Sequence, residues 1–272
     1  MTKKIFFIGL ILSALLLNSC SKYQKLIKSN DRVLKYEKAM EYYANENWNK
    51  SKTLIEDILP VYKGTEKGEE LLYKFAACHY NIHDFILAGY YFRKFTESYA
   101  NSKYVEEAAF RIAECYYLDS PRSSLDQSST KTALLEIELF LVKYPKSSFV
   151  AQAKELKDEL NDKLAEKQFN NALHYYYLEY YKSAITALGS CLDSYPYSKF
   201  RENVLYYLLE SNFQLARNSV SDKQKARFSD AIKAYHKYND EFPNGKYSKE
   251  AKRMFTISEK RAKGIIDNDD II

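Results

Sequence analysis

One six-residue phrase recurs five times along this chain, and any fold must use it five times over. It reads aromatic, usually proline, any residue, a small residue, any residue, usually aromatic. The copies run Tyr62 to Lys67, Tyr99 to Tyr104, Tyr144 to Phe149, Tyr195 to Phe200 and Phe242 to Tyr247, at spacings of 37, 45, 51 and 47 residues. A period of this length marks stacked copies of one supersecondary unit. Proline ends a helix, and a small polar residue is suited to cap the next one. With only 7 Gly and 5 Pro in 272 residues, turn chemistry is too scarce for a many-stranded β fold. The phrase therefore predicts an all-α chain of repeated helix pairs.

The apolar positions before each phrase keep a helical period. Twelve residues before its second position stand Ser51, Ala88, Ala133, Ala184 and Ala231, and four residues after each of these stand Ile55, Phe92, Ile137, Leu188 and Tyr235. A further twelve residues upstream, Ala39, Ala76 and Ala172 mark the preceding helix, while Trp48, Phe85 and Tyr181 sit three residues before the second small position. Small residues at fixed points let paired helices approach closely. This spacing closely resembles the tetratricopeptide pattern, which implies an all-α, right-handed superhelix (a solenoid) of about five tetratricopeptide-like helix-turn-helix repeats. Repeat three departs from it, because its first small residue, Ala113, precedes Ala133 by 20 residues, leaving an insertion over Leu118 to Gln127. Repeat five carries another insertion around Ser219 to Arg227, and a long polar helix is predicted from about Ala151 to Tyr177.

The N-terminus has a different character. Lys3 and Lys4 precede a 13-residue apolar run from Ile5 to Leu17. That run falls short of the ~20 residues of a spanning helix but suits a secretory signal. The stretch Leu17-Asn18-Ser19-Cys20 resembles a bacterial lipobox, with cleavage between Ser19 and Cys20 and acylation of Cys20. The organisation expected is a signal peptide over 1–19, a lipidated linker over 20–30, repeats one to three over 31–150, repeats four and five over 151–256, and a frayed tail over 257–272. The formal charge of +5 falls to +3 when Lys3 and Lys4 leave with the signal. That is too weak to argue for nucleic acid. Cys78, Cys115 and Cys191 show no metal-knuckle spacing and read as small buried apolar residues.

The chain carries 26 Tyr and 15 Phe. With each first-helix small residue set at position 8, position 5 is Tyr36, Tyr73, Phe110 and Phe169, and position 12 is Tyr43, Tyr80, Tyr117 and Tyr176. Seven residues apart, the two positions share one helix face. In tetratricopeptide proteins this face tends to line the concave side that takes extended peptides. Tyr36, Tyr43, Tyr73, Tyr80, Phe110 and Tyr117 are therefore candidate groove residues, with plain helix packing as the rival reading.

Catalytic signatures are missing. His79 and His83 stand at i, i+4, a spacing that can hold zinc, but no third ligand is near in sequence and His83 falls in the predicted turn. Glu69/Glu70 and Glu106/Glu107 open first helices, where carboxylates favour the helix dipole. No phosphate-cradling glycine loop and no nucleophile-base pair is supported. The sequence predicts neither an enzyme nor a cofactor.

The lipobox, the following Ser-Lys-Tyr-Gln-Lys-Leu-Ile-Lys of Ser21 to Lys28, the repeat lengths, the Asp119-Ser120-Pro121-Arg122 insertion and the segment Leu156 to Ala165 together resemble the BamD family. These are lipoprotein subunits of the outer-membrane β-barrel assembly machinery. The resemblance implies an outer-membrane lipid anchor on the periplasmic face. It also implies capture of unfolded outer-membrane proteins by the N-terminal repeats, and docking on the periplasmic domains of a BamA-like barrel subunit beside other lipoproteins of the machinery. Phe169, Tyr176 and Arg122 are the docking candidates. Where some members carry an arginine that bridges to BamA, this chain has Ala187. A carbohydrate- or peptidoglycan-binding lipoprotein is the alternative for the same aromatic face.

Overall fold

The computed structural model describes residues 22–265. The signal segment, Ser19, Cys20 and the acidic tail Asp267 to Asp270 lie outside the described residues. The described residues are helical without strands. A short helix α1 over 22–28 precedes α2 (Arg32–Ala44), α3 (Trp48–Tyr62), α4 (Glu66–Asn81), α5 (Phe85–Ser98) and α6 (Val105–Asp119). Then follow α7 (Ser128–Lys143), α8 (Val150–Tyr177), α9 (Tyr181–Ser194), α10 (Arg201–Arg217), α11 (Ser221–Glu241) and α12 (Ser248–Ala262). The chain forms two compact units. Unit 1 runs to Asp119 and includes Thr132–Ala153, whereas unit 2 holds Ser120–Lys131 and everything from Lys154 onward.

Each hairpin closes on its small residues. Ala39, Ala76, Ala113 and Ala172 on first helices and Ser51, Ala88, Ala133, Ala184 and Ala231 on second helices are all fully buried. Ser51 stands where the other repeats have alanine, and its hydroxyl donates to the Ala39 carbonyl at 2.9 Å. A buried hydroxyl so paired avoids the penalty of an unmet polar group. Trp48, Phe85 and Tyr181 prove to be the first residues of α3, α5 and α9. The turns before them pass through Glu46, His83 and Glu179 with φ of 57°, 62° and 60°, the left-handed conformation that reverses the chain after a helix.

The phrases form a recurrent turn. Thr65, Ser102, Ser147, Ser198 and Gly245 each donate their N–H to the carbonyl of the leading aromatic, at 3.0 to 3.3 Å. Ser102, Ser147 and Ser198 do not cap the next helix directly. Their hydroxyls accept from the N–H two residues on, in Tyr104, Phe149 and Phe200. Thr65 alone among these hydroxyl residues is a side-chain N-cap, accepting from Gly68 at 3.1 Å. Gly245 leaves room for a side-chain contact: a Cβ there would lie 2.2 Å from a Glu202 carboxylate oxygen and 2.7 Å from the Tyr238 hydroxyl, so a larger residue would displace them.

Three regions differ from the sequence expectation. Residues 22–28 are not a passive linker: α1 packs Tyr23, Leu26 and Ile27 on the repeat-one core. The buried ammonium of Lys35 ties it down, donating to the Ile27 carbonyl at 2.8 Å and to Asp57 at 2.6 Å. The tail begins later than residue 257, because α12 continues through Ala262 with Met254 and fully buried Ser258 facing the core. The repeat-five insertion is absorbed largely as extra N-terminal turns of the 21-residue α11.

The insertion of repeat three is held within unit 2. Buried Gln127 donates to the carbonyls of Arg122 and Leu125 and accepts from Thr130. From α8, Lys163 reaches Ser120 at 2.7 Å and Lys167 reaches the Leu125 carbonyl. Arg122 is exposed on this pinned loop.

Candidate binding face

The position-5 rings have a repeating partner that the sequence reading missed. Tyr73 stacks on Tyr104 at 4.7 Å, Phe110 on Phe149 at 4.8 Å and Phe169 on Phe200 at 6.1 Å between centroids. Tyr206, at the same position in α10, stacks on Tyr247 at 4.1 Å. In every case the partner is the closing aromatic of the following phrase. The first phrase closes on Lys67 instead, and its ammonium lies 4.7 Å over the Tyr36 ring. Position 5 is thus a packing seam between each repeat and the turn that follows it.

Two candidates leave the accessible face for that reason. Phe110 is fully buried, edge-on to Phe140 at 5.6 Å as well as stacked on Phe149. Phe169 is 6% exposed. Neither phenylalanine has a hydroxyl to keep in water, so burial is its lowest-energy placement. Tyr36, Tyr43, Tyr73, Tyr80, Tyr117 and Tyr176 are half-buried, which leaves part of each residue at the surface.

On unit 1 these tyrosines are woven with charge. The Tyr36 hydroxyl donates to Glu70 at 2.5 Å, and one repeat later Glu107 is the carboxylate that, after burial, most raises the Tyr73 hydroxyl. Lys74 lies 4.1 Å over the Tyr43 ring, and one repeat later the Arg111 guanidinium lies 5.1 Å over Tyr80. Glu70–Lys74 and Glu107–Arg111 are i,i+4 pairs at 3.7 and 3.5 Å, and Arg111 also meets Glu114 at 2.5 Å. Glu70 and Glu107 therefore act on tyrosine hydroxyls of the preceding repeat and not on the helix dipole alone. The i,i+4 acid–base spacing was the sequence signal for this weave.

The other ring edges are held inside each hairpin. Tyr43 packs edge-on to Trp48 at 5.0 Å, Tyr80 to Phe85 at 5.8 Å and Tyr176 to Tyr181 at 5.9 Å. Burial first, and then nearby groups that include Glu107 or Glu114, pushes the hydroxyls of Tyr43 and Tyr80 up to about 12. Burial and then Glu70 does the same for Tyr36. The hydroxyls stay protonated at neutral pH and act as donors as well as acceptors. The face formed by α2, α4 and α6 thus presents fixed ring edges, hydroxyls and paired charges in a series.

The remaining candidate groups are structural. His79 is buried, its Nδ1 lies 3.0 Å from Asp84, and it stacks on Tyr91. Burial lowers its pKa despite Asp84. Cys78, Cys115 and Cys191 are buried thiols, with burial pushing them up to about 11, 12 and 11 respectively. Such thiols are poor nucleophiles.

The family described as YfiO, outer membrane lipoprotein, matches the chain over residues 29–226. The chain belongs to the YfiO family. This is the BamD family of the sequence resemblance, and its domain covers α2 to α10 together with the start of α11. Family membership makes the aromatic face part of an outer-membrane lipoprotein domain built from tetratricopeptide-like repeats. No match is found among curated proteins. Among solved structures, the chain is similar to the TPR2AB domain of yeast Sti1 in its pHSP90 complex, with 12% identity over 84% of this chain and 98% of that one, at a TM-score of 0.40. The yeast histone chaperone Hif1 is similar at 15% identity over 92% and 98%, with a TM-score of 0.28. Both likenesses are too distant to bear on function.

Proposed function

We propose that this YfiO-family chain is a non-catalytic lipoprotein subunit of the outer-membrane β-barrel assembly machinery. It is anchored through acylated Cys20 on the periplasmic face. Unit 1 takes extended segments of unfolded outer-membrane proteins on its α2–α4–α6 face. Unit 2 docks on the periplasmic domains of a BamA-like barrel subunit, beside other lipoproteins of the machinery. The family match over residues 29–226 carries this reading.

The chemistry of the face supports the client half of it. An extended peptide offers an N–H and a carbonyl at every residue, and tyrosine hydroxyls can donate and accept to both while ring edges take apolar side chains. Cys20 stands two residues before α1 in sequence, and α1 is locked to repeat one, so acyl chains on Cys20 would hold unit 1 close to the bilayer. For docking, exposed Arg122 on its pinned loop offers a cation where Ala187 lacks one.

Photo-crosslinking in the intact envelope tests the division of labour. A crosslinking residue in place of Tyr80 should capture unfolded outer-membrane proteins. The same residue in place of Tyr177, which is 67% exposed on unit 2, should capture the barrel subunit. Recovery of no barrel subunit from either position, or by pull-down of the tagged chain, contradicts the assignment.

A further inference from the structure

The cation that covers Tyr43 and Tyr80 on unit 1 is missing from the corresponding place on unit 2. In unit 1 it comes from the residue after position 5 of the next first helix, Lys74 over Tyr43 and Arg111 over Tyr80. On α10 the same step gives Tyr207, whose ring lies 5.2 Å from Tyr176 at 71°. Tyr206 and Tyr177 extend the cluster, at 5.2 Å from Tyr207 and 5.5 Å from Tyr176 respectively. Among the described residues no lysine or arginine lies over any of these four rings. Yet the carboxylate remains: Glu210 is the charged group that, after burial, most raises the Tyr176 and Tyr206 hydroxyls.

Charge and access favour an incoming cation. A carboxylate has about four acceptor sites, so even two tyrosine donors would leave Glu210 capacity for more. Glu179 and Glu250 add negative charge near Tyr181 and Tyr206, while Arg217, whose charge reaches Tyr181, lies 5.7 Å over Phe213. Tyr177 is 67% exposed and Tyr176, Tyr207 and Glu210 are half-buried, so the cluster borders solvent.

We propose that Tyr176, Tyr207 and Glu210 form a receptor for an arginine side chain of a partner polypeptide. A guanidinium is the fitting cation because it stacks on an aromatic ring and forks to a carboxylate at once. The partner arginine takes the role on unit 2 that Arg111 plays within unit 1. The docking role of unit 2 enters only in naming the partner as a protein.

Tyrosine-labelled full-length protein in detergent, titrated with a blocked heptapeptide carrying one central arginine, reads the site by NMR. The Tyr176 and Tyr207 ring signals should shift saturably below about 10 mM, and the citrulline peptide, which lacks the charge, should leave them in place. Glu210→Gln should weaken the arginine peptide about tenfold. Tyr207→Arg, which supplies the cation from within, should do the same. Equal shifts with both peptides, no saturation by about 10 mM, or unchanged binding in both folded variants overturns the proposal. The assay contains no barrel subunit. Loss of the Tyr177 crosslink with the peptide shifts intact would therefore refute the docking assignment and not the arginine site.

Discussion

Phe110→Ala is expected to cost about 3–5 kcal/mol of stability and to lower the melting temperature by many degrees. The side chain is fully buried, stacked on Phe149 and edge-on to Phe140. Removing it leaves a cavity between α6, α7 and the turn before α8, and none of those backbones can close on it without breaking the phrase turn. Ring contacts of this kind add about 0.5–1.5 kcal/mol beyond burial, so the loss should sit high in the range. Denaturant titration of wild type and variant measures it. A variant as stable as wild type, but defective in binding, would return Phe110 to the accessible face.

Cys20→Ala is expected to abolish acylation and outer-membrane anchoring. Each buried methylene of an acyl chain contributes about 0.8 kcal/mol, and durable anchoring takes more than one chain. Among the described residues no helix is long and apolar enough to cross a membrane, so the acyl chains have no replacement there. Wild type should fractionate with the outer membrane and incorporate labelled fatty acid. The variant should stay uncleaved in the inner membrane or become soluble, without label. Fatty-acid labelling that is unchanged in the variant would sink the lipoprotein reading of Cys20.

What the sequence made legible was the part governed by local period. The nine small residues at hairpin crossings are all buried without remainder, because only a small side chain fits where two helices touch. Trp48, Phe85 and Tyr181 were visible for the same reason, each at a fixed step from its small residue. The aromatic ladder was legible as a pattern but not as a surface. Each position-5 ring packs on the closing residue of the next phrase, a contact between segments about 30 to 40 residues apart that local period does not show. Lys67 in place of an aromatic was the one local hint. The weave of Glu70, Lys74, Glu107 and Arg111 was hidden because the helix dipole already accounted for the two glutamates. Helix α1 was obscured by its polar composition. Its docking depends on a buried lysine, Lys35, that sequence reading places in water.

The binding of an unfolded client by the unit 1 face is tested most directly by one titration. A labelled peptide from the C-terminal strand of an outer-membrane barrel is added to wild type, Tyr43→Ala and Tyr80→Ala, with melting temperatures taken on the same samples. Each ring is half-buried, so the variants should melt somewhat lower yet remain folded. Each should lose about 2 kcal/mol or more of peptide affinity, roughly thirtyfold. Wild-type affinity in both folded variants would contradict the account and place the client site elsewhere on the molecule.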